Sequence, residues 1–464
     1  MKWNKSHIVL LMNMFVACSE GGSLEDNTLS ENIPIELGAY ASKYSDTRAG
    51  GTIGNNDLAA LAQNGGFGVY SYFLKKQEFM INQQVTAVTR DLEGGGKEIT
   101  GWTYSPMKYW PNNPSSTLDF FAYAPYAKPS VGDDTGIISI HDTNHNHIPV
   151  VKYQLDKYGR NVDLLWGTNG AVAGAKGVFT DMTKPSVDQK IEFKFKHTLA
   201  KIGGAALNSN DTGGLTIQLD VDDDGNITGG NKPSSLKVTV NRITIKVLGT
   251  KDAVDANDID RELPIKGDFN LTDGTWSNYY HNNITLFYPV QMITKTGLEN
   301  NAHGKLNSNI AEPGVGTGVK WEDIPQGITV AAQNVFDEEF TQMLLLPGEE
   351  KFPVIEADIE YVIRTRDDDL ELGYTEKTCH LTKQAVIPAF LEIAKRYNLR
   401  LHVGITSMKF DAYGPDSWDL GQGTFYFDKT TQTENPGPGI EEDNPSGDDL
   451  KYLSKKVDSL WFEW

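Results

Sequence analysis

The sequence predicts an all-β chain of two domains, each a sandwich or barrel of short strands. Three observations carry this expectation. The chain has 464 residues, more than one hydrophobic core ordinarily serves, so two domains are expected. Of its 45 glycines and 20 prolines many fall in short turn-like clusters such as Glu93–Gly96 and Asp222–Gly225, which favours many short strands over long helices. Between those clusters lie stretches that alternate in hydrophobicity or are dense in aromatic residues, and both patterns are strand-like.

Taken in order, Ile33–Tyr44 (IPIELGAYASKY) places Ile33, Ile35, Leu37, Ala39 and Ala41 on one face. Pro34, Glu36, Gly38, Tyr40 and Ser42 fall on the other. This is the period-2 pattern of a half-buried strand, with Pro34 near its start, where a missing N–H donor is tolerated. Ser45–Gly51 (SDTRAGG) is small and polar, an exposed loop open to proteases. Further strands are expected at Phe67–Phe73, Leu118–Tyr126, Ile191–Phe195, Leu236–Val247, Leu286–Pro289, Met343–Leu346, Ile355–Ile363, Tyr374–Leu381, Leu399–Ile405 and Gly423–Phe427. Ala385–Arg396 (AVIPAFLEIAKR) reads as a short helix or a turn, with Pro388 opposing a long helix. No long-period self-similarity is present, so a solenoid or propeller is not indicated.

The charged and aromatic fractions, 22% and 10%, are those of a globular protein. Net charge is −20 with no clustered basic face. Nucleic-acid binding is therefore not expected, since phosphate contacts require Lys and Arg. The acidity suits solubility outside the cell.

Both termini carry signals. Lys2 and Lys5 precede the apolar run Ile8–Ala17, which is too short to span a bilayer and reads as an export leader over residues 1–17. It ends at Phe15-Val16-Ala17-Cys18, which resembles a bacterial lipobox and makes Cys18 the expected lipidation site; the other reading is an ordinary secretory signal that contains a cysteine. Residues 18–31 are polar and acidic and read as a tether. With Cys18 lipidated, Cys379 has no intrachain partner, so no disulfide is expected and Cys379 reads as a small packed side chain. Residues 431–449 (TQTENPGPGIEEDNPSGDD) hold three prolines, three glycines and six acids, the composition of a linker. The tail Leu450–Trp464 (LKYLSKKVDSLWFEW) is apolar enough to require burial. Its spacing fits either a helix or a strand; Leu460, Phe462 and Trp464 would share a strand face.

Several motifs together resemble the fimbrillin family, the subunits of type V pili: Gly66–Tyr72 with Phe79–Asn82, Trp102–Pro111 (WTYSPMKYWP), Leu118–Tyr126, Asp163–Trp166 and Phe193–Ile202. The resemblance covers most of the chain and is strongest over residues 67–202. It implies two transthyretin-like β-sandwich domains with Greek-key-type antiparallel sheets, at residues 32–188 and 189–430, with the Phe193–Ile202 segment opening the second. It further implies export to the outer membrane and cell surface as a lipoprotein, then cleavage between Arg48 and Ala49. Loss of the first strand would open a groove for a strand of another subunit. Residues 450–464, with Leu460, Phe462 and Trp464, are the candidate donor. The implied partners are other pilus subunits, the outer membrane through the lipid, and a host or bacterial surface receptor. The alternative is a non-polymerising surface lipoprotein that binds a glycan or other ligand on the same fold.

Other constellations are weaker. Asp220-Val-Asp222-Asp-Asp224-Gly-Asn226 fits the first half of a calcium loop, with Asp220, Asp222, Asp224 and the Asn226 backbone as candidate ligands; position 12 is Asn231, not Glu, and a hairpin turn explains the segment equally. No other cofactor is expected. His141, His145 and His147 cluster without a nearby cysteine and read as a polar loop rather than a zinc site. No nucleophile-elbow, zincin or phosphate-loop motif is present, so an enzyme is not expected. Trp102, Trp110 and Trp276 could stack on sugars, although aromatic residues in strands more often lie in cores.

Overall fold

The computed structural model describes residues 32–40, 62, 65–93, 97–129, 135–142, 148–156, 161–169, 178–186, 190–203, 214–230, 232–282, 286–291, 306–313, 318–335 and 343–417. These residues are almost entirely strand. Ten strands come from the first part of the chain: β1 (Glu36–Tyr40), β2 (Phe67–Phe73), β3 (Gln77–Asp91), β4 (Lys97–Thr103), β5 (Leu118–Ala124), β6 (Gly136–Asp142), β7 (Pro149–Gln154), β8 (Leu165–Thr168), β9 (Phe179–Met182) and β10 (Lys190–His197). Twelve follow: β11 (Ala200–Ile202), β12 (Leu215–Leu219), β13 (Leu236–Lys251), β14 (Leu263–Asn270), β15 (Thr275–Asn282), β16 (Leu286–Gln291), β17 (Gln333–Asn334), β18 (Met343–Leu345), β19 (Phe352–Arg366), β20 (Tyr374–Val386), β21 (Lys395–Val403) and β22 (Met408–Ser417).

The principal sheet of the first part runs β1-β10-β8-β5-β2-β3-β4, with β9 beside β5. Strands β2 and β5 are buried along almost their whole length. One face, with Phe67, Val69, Phe120 and Ala122, joins a core shared with β1, β8 and β10. The other, with Tyr70, Tyr72, Phe121 and Tyr123, joins a second core that continues through the rest of the molecule. Burial on both faces accounts for the near-continuous apolar and aromatic composition of these two strands. The second face is covered by a sheet of order β15-β14-β7-β6. Trp166 links the two layers: its ring lies edge-on to Phe269 and its indole N–H donates to the Leu271 carbonyl at 2.9 Å. The hairpin β14–β15 therefore completes a layer begun by β6 and β7, from a position about a hundred residues later in the chain.

The remaining strands form two facing sheets, β16-β13-β19-β20 and β17-β12-β21-β11-β18, with β22 beside β21. Ile243, Ile245, Ile359 and Tyr361 on one side and Ile217, Leu399 and Leu401 on the other fill the space between them. In β13 the buried residues shift from Leu236, Val238 and Val240 to Ile243, Ile245 and Val247, a change of parity. A bulge between Val240 and Arg242 absorbs it and keeps both sets facing inward.

The expected all-β architecture is thus present, with two departures. Pairing is not wholly antiparallel: β1–β10, β11–β21 and β12–β21 are parallel. Strand β10, expected to open the second domain, belongs to the first sheet between β1 and β8, and the chain passes to the second pair of sheets at Thr198–Ala200. Ala385–Arg396 is not a single element: of the two readings the turn holds, in a connection between the end of β20 and the start of β21. Cys379 on β20 is half-buried against the core, as its strand position implied, and His380 points to the other face, where its imidazole meets Asp358 at 3.0 Å.

The entry to β2 depends on one glycine. Gly66 has φ +79°, and a Cβ there would lie 1.9 Å from the Val85 carbonyl oxygen. Gly66→Ala is expected to cost about 2 kcal/mol or more, from the left-handed backbone and the displaced β3 strand together. Chemical denaturation would measure it as a lower midpoint with unchanged slope.

Candidate functional site

The feature of the fold with a functional reading is the seat of β1. Ile35, Leu37 and Ala39 are 0%, 2% and 8% exposed and project into the core shared with β2, β5, β8 and β10. Glu36, on the opposite face, is exposed. The inward-facing set expected, Ile33, Ile35, Leu37 and Ala39, is therefore realised, while Gly38 on the opposite face is buried as well.

Strand β1 is the terminal member of its sheet and lies parallel to β10, with Glu36 opposite Lys190, Leu37 opposite Ile191 and Ala39 opposite Phe193. Its approach is held from the other side. The Ile35 N–H donates to the Lys108 carbonyl at 2.9 Å, and the Trp110 N–H donates to the Ile33 carbonyl at 3.0 Å. Between these bonds, Pro34 bridges Tyr109 and has no N–H to leave unsatisfied. The Tyr104 hydroxyl donates to the Ile35 carbonyl at 2.7 Å. Burial pushes the Tyr104 hydroxyl up to about 12, so it stays a protonated donor throughout the physiological range.

The floor of the seat is aromatic. Phe193 meets Phe179 edge-on at 5.3 Å and Phe67 at 5.9 Å, and Trp110 meets Phe120 at 5.8 Å. Without β1 this floor and the free edge of β10 would be open. Unpaired N–H and C=O groups along β10, and pockets spaced for alternate side chains, would then be exposed; these are the features that strand pairing in a fixed register requires.

The other expected site residues fall as follows. Cys18, Arg48, Ala49, Leu460, Phe462 and Trp464 lie outside the described residues, as do His145 and His147. Asp220, Asp222, Asp224 and Asn226 lie in a hairpin closed by a Val221–Ile227 bridge, with Gly225 at φ +75°. The Asp222 carboxylate accepts the backbone N–H groups of Asp224 and Asn226, and the Asn226 carbonyl accepts the Asp222 N–H. Asp220 is buried and takes the Lys409 ammonium at 3.2 Å. Asp220, the Asp222 carboxylate and the Asn226 carbonyl are thus engaged separately, and among the described residues no group of three or more acidic, histidine or cysteine side chains is placed to hold a metal ion. Of the three tryptophans considered for sugar stacking, Trp110 is buried, and Trp102 and Trp276 pack against the two cores. What sequence reasoning missed is the seat's second wall, Tyr104 and Lys108–Trp110; the dense aromatic motif Trp102–Pro111 was its only local trace.

With the fold and the seat of β1 in view, residues 47–229 match the family described as "Fimbrillin-like", a match that covers less than half of the chain. The chain is similar to the fimbrium subunit Fim1C of Phocaeicola vulgatus, 25% identical over 211 residues that make up 43% of this chain and 50% of that protein. It thus spans about half the length of the curated relative it matches. Its structure is similar to that of a fimbrial protein from Bacteroides vulgatus ATCC 8482, with a TM-score of 0.54 and 17% identity over 83% of this chain and 100% of that one. At that identity the likeness is one of fold.

Proposed function

We propose that this chain is a structural or adhesive subunit of a type V fimbria that polymerises by strand exchange. In this reading Cys18 carries a lipid that holds the exported precursor at the outer membrane. Hydrolysis between Arg48 and Ala49 then releases β1. The observation that carries the reading is the seat itself: a terminal strand whose alternate side chains fill a core while its backbone pairs with one sheet edge. Such a strand is replaceable by another with the same alternation. Leu460, Phe462 and Trp464 have that two-residue spacing, and the acidic 431–449 segment gives them reach. A strand donated head to tail makes a heterologous contact, which propagates as a filament.

The test uses chains ending at residue 430, so that their own tail does not compete. A labelled peptide of residues 450–464 is expected to bind a chain that starts at Ala49 and to be refused by one that retains β1. Fluorescence anisotropy would read both. Equal binding to the two chains, or binding to neither, would remove residues 450–464 as the donor.

A further inference from the structure

We infer that the outer face of the β15-β14-β7-β6 sheet carries a binding site for an acidic saccharide, a glycan residue bearing a carboxylate. A cleft of about 330 Å³ opens there, lined among others by Lys152 of β7, Lys266 and Asp268 of β14, and Asn278, Tyr280 and Asn282 of β15. This volume is within the range of small-ligand sites. The inner face of the same strands, with Val151, Tyr153 and Phe269, is packed into the core, so the cleft stands on a rigid support.

The concavity has a backbone origin. Lys266 pairs with Tyr280 but Asp268 pairs with Ser277, so Asn278 and Tyr279 together face the single residue Gly267. Asn278 takes up the bulge at φ +53°, a conformation asparagine tolerates better than most residues. Its amide donates to Asp268 at 3.1 Å. Tyr279 turns inward, its hydroxyl donating to the Pro347 carbonyl, and Tyr280 turns outward. The Tyr280 side chain is 57% exposed, the highest value among the exposed large hydrophobic residues described.

The lining chemistry selects the ligand. An exposed ring offers an apolar face for the C–H surface of a pyranose, and amides beside it offer both donors and acceptors for hydroxyls. Charge narrows the class. In a chain of net charge −20, this cleft presents two ammonium groups against one carboxylate, and Lys152 and Lys266 form no ion pair among the described residues. A ligand carboxylate would supply the missing partner through a charge-assisted bond. Nucleic acid is disfavoured by the overall negative charge. A peptide added as a strand needs a sheet edge rather than a face. The site is independent of strand exchange, because it is complete in the uncleaved chain.

The experiment is calorimetry and saturation-transfer NMR on the intact monomer with 3′-sialyllactose and a hyaluronan tetrasaccharide, against lactose and chitotetraose as neutral counterparts. At least one acidic probe is expected to bind about tenfold more tightly than its neutral counterpart. Tyr280→Ala should reduce that binding about tenfold, and Lys266→Gln should remove the preference for the acidic probe; both positions are at the surface, and a thermal melt would show the fold intact. Absence of binding by both acidic probes, equal binding of neutral ones, or binding indifferent to Tyr280→Ala would overturn the assignment. Because the readout needs no proteolysis, its failure would leave the strand-exchange reading untouched, and the converse holds.

Discussion

Leu37→Asp is expected to free β1 in the uncleaved chain, so that a chain ending at residue 430 captures the 450–464 peptide without any proteolysis. Leu37 is 2% exposed in the core beneath β1. Its replacement forfeits about 2–3 kcal/mol of apolar burial and confronts the core with a carboxylate whose desolvation costs several kcal/mol more. The margin holding β1 is small by comparison. Ordering its five residues costs about 1–2 kcal/mol each, which offsets much of what Ile35, Leu37 and the flanking hydrogen bonds contribute. The penalty therefore exceeds the margin, and the strand leaves while the sheet behind it persists. Anisotropy with the labelled peptide would show binding by Leu37→Asp and none by the parent chain. A variant that refuses the peptide while remaining folded would mean that the seat does not accept an exchanged strand.

Phe193→Ala should act differently, because it removes the floor rather than the occupant. Phe193 is fully buried on β10, opposite Ala39 of β1, and contacts the rings of Phe67 and Phe179. Truncation of such a side chain costs about 3–5 kcal/mol, depending on how far the site collapses. That is a large part of the roughly 5–15 kcal/mol that ordinarily separates folded from unfolded domains. The loss should appear both in the precursor and in a chain starting at Ala49, as a lower denaturant midpoint, and peptide capture should be lost with it. A cost below about 1 kcal/mol would show that β10 does not organise the seat. The two substitutions thus separate the strand from its groove: one opens the groove, the other dismantles it.

The occupant was legible in the sequence and the groove was not. Ile33–Ala39 alternates with period 2 because one face of β1 meets a core while the other presents Glu36 to solvent, and a local pattern can record that. The parallel pairing of β1 with β10 joins residues about 150 positions apart and leaves no local mark, which is why Phe193–Ile202 read as the start of a new domain. The tightly spaced aromatics of β2 and β5 announced strands; that both faces are buried depends on which layers cover them, and one of those layers is supplied partly by the distant hairpin β14–β15. In Leu236–Val247 the change of parity at Asn241 is visible in the residues themselves, yet reads as one continuous strand until the bulge is seen. The Asp220–Asn226 carboxylates have the spacing of a cation loop, but the Asp222 carboxylate serves the turn's own amides and Asp220 faces Lys409. Composition likewise drew attention to tryptophans that pack into cores, whereas the exposed ring of the outer sheet belongs to Tyr280, one tyrosine among 19.

We propose that removal of β1 converts a monomeric precursor into a polymerising subunit, and the N-terminus reports that conversion most directly. Protein taken from the cell surface would be analysed by N-terminal sequencing and intact mass before and after a trypsin-like protease, with oligomers followed on SDS gels. A new start at Ala49 is expected, with SDS-resistant multimers that appear alongside it. A chain that keeps its lipid-bearing Cys18 and stays monomeric after protease treatment would contradict it.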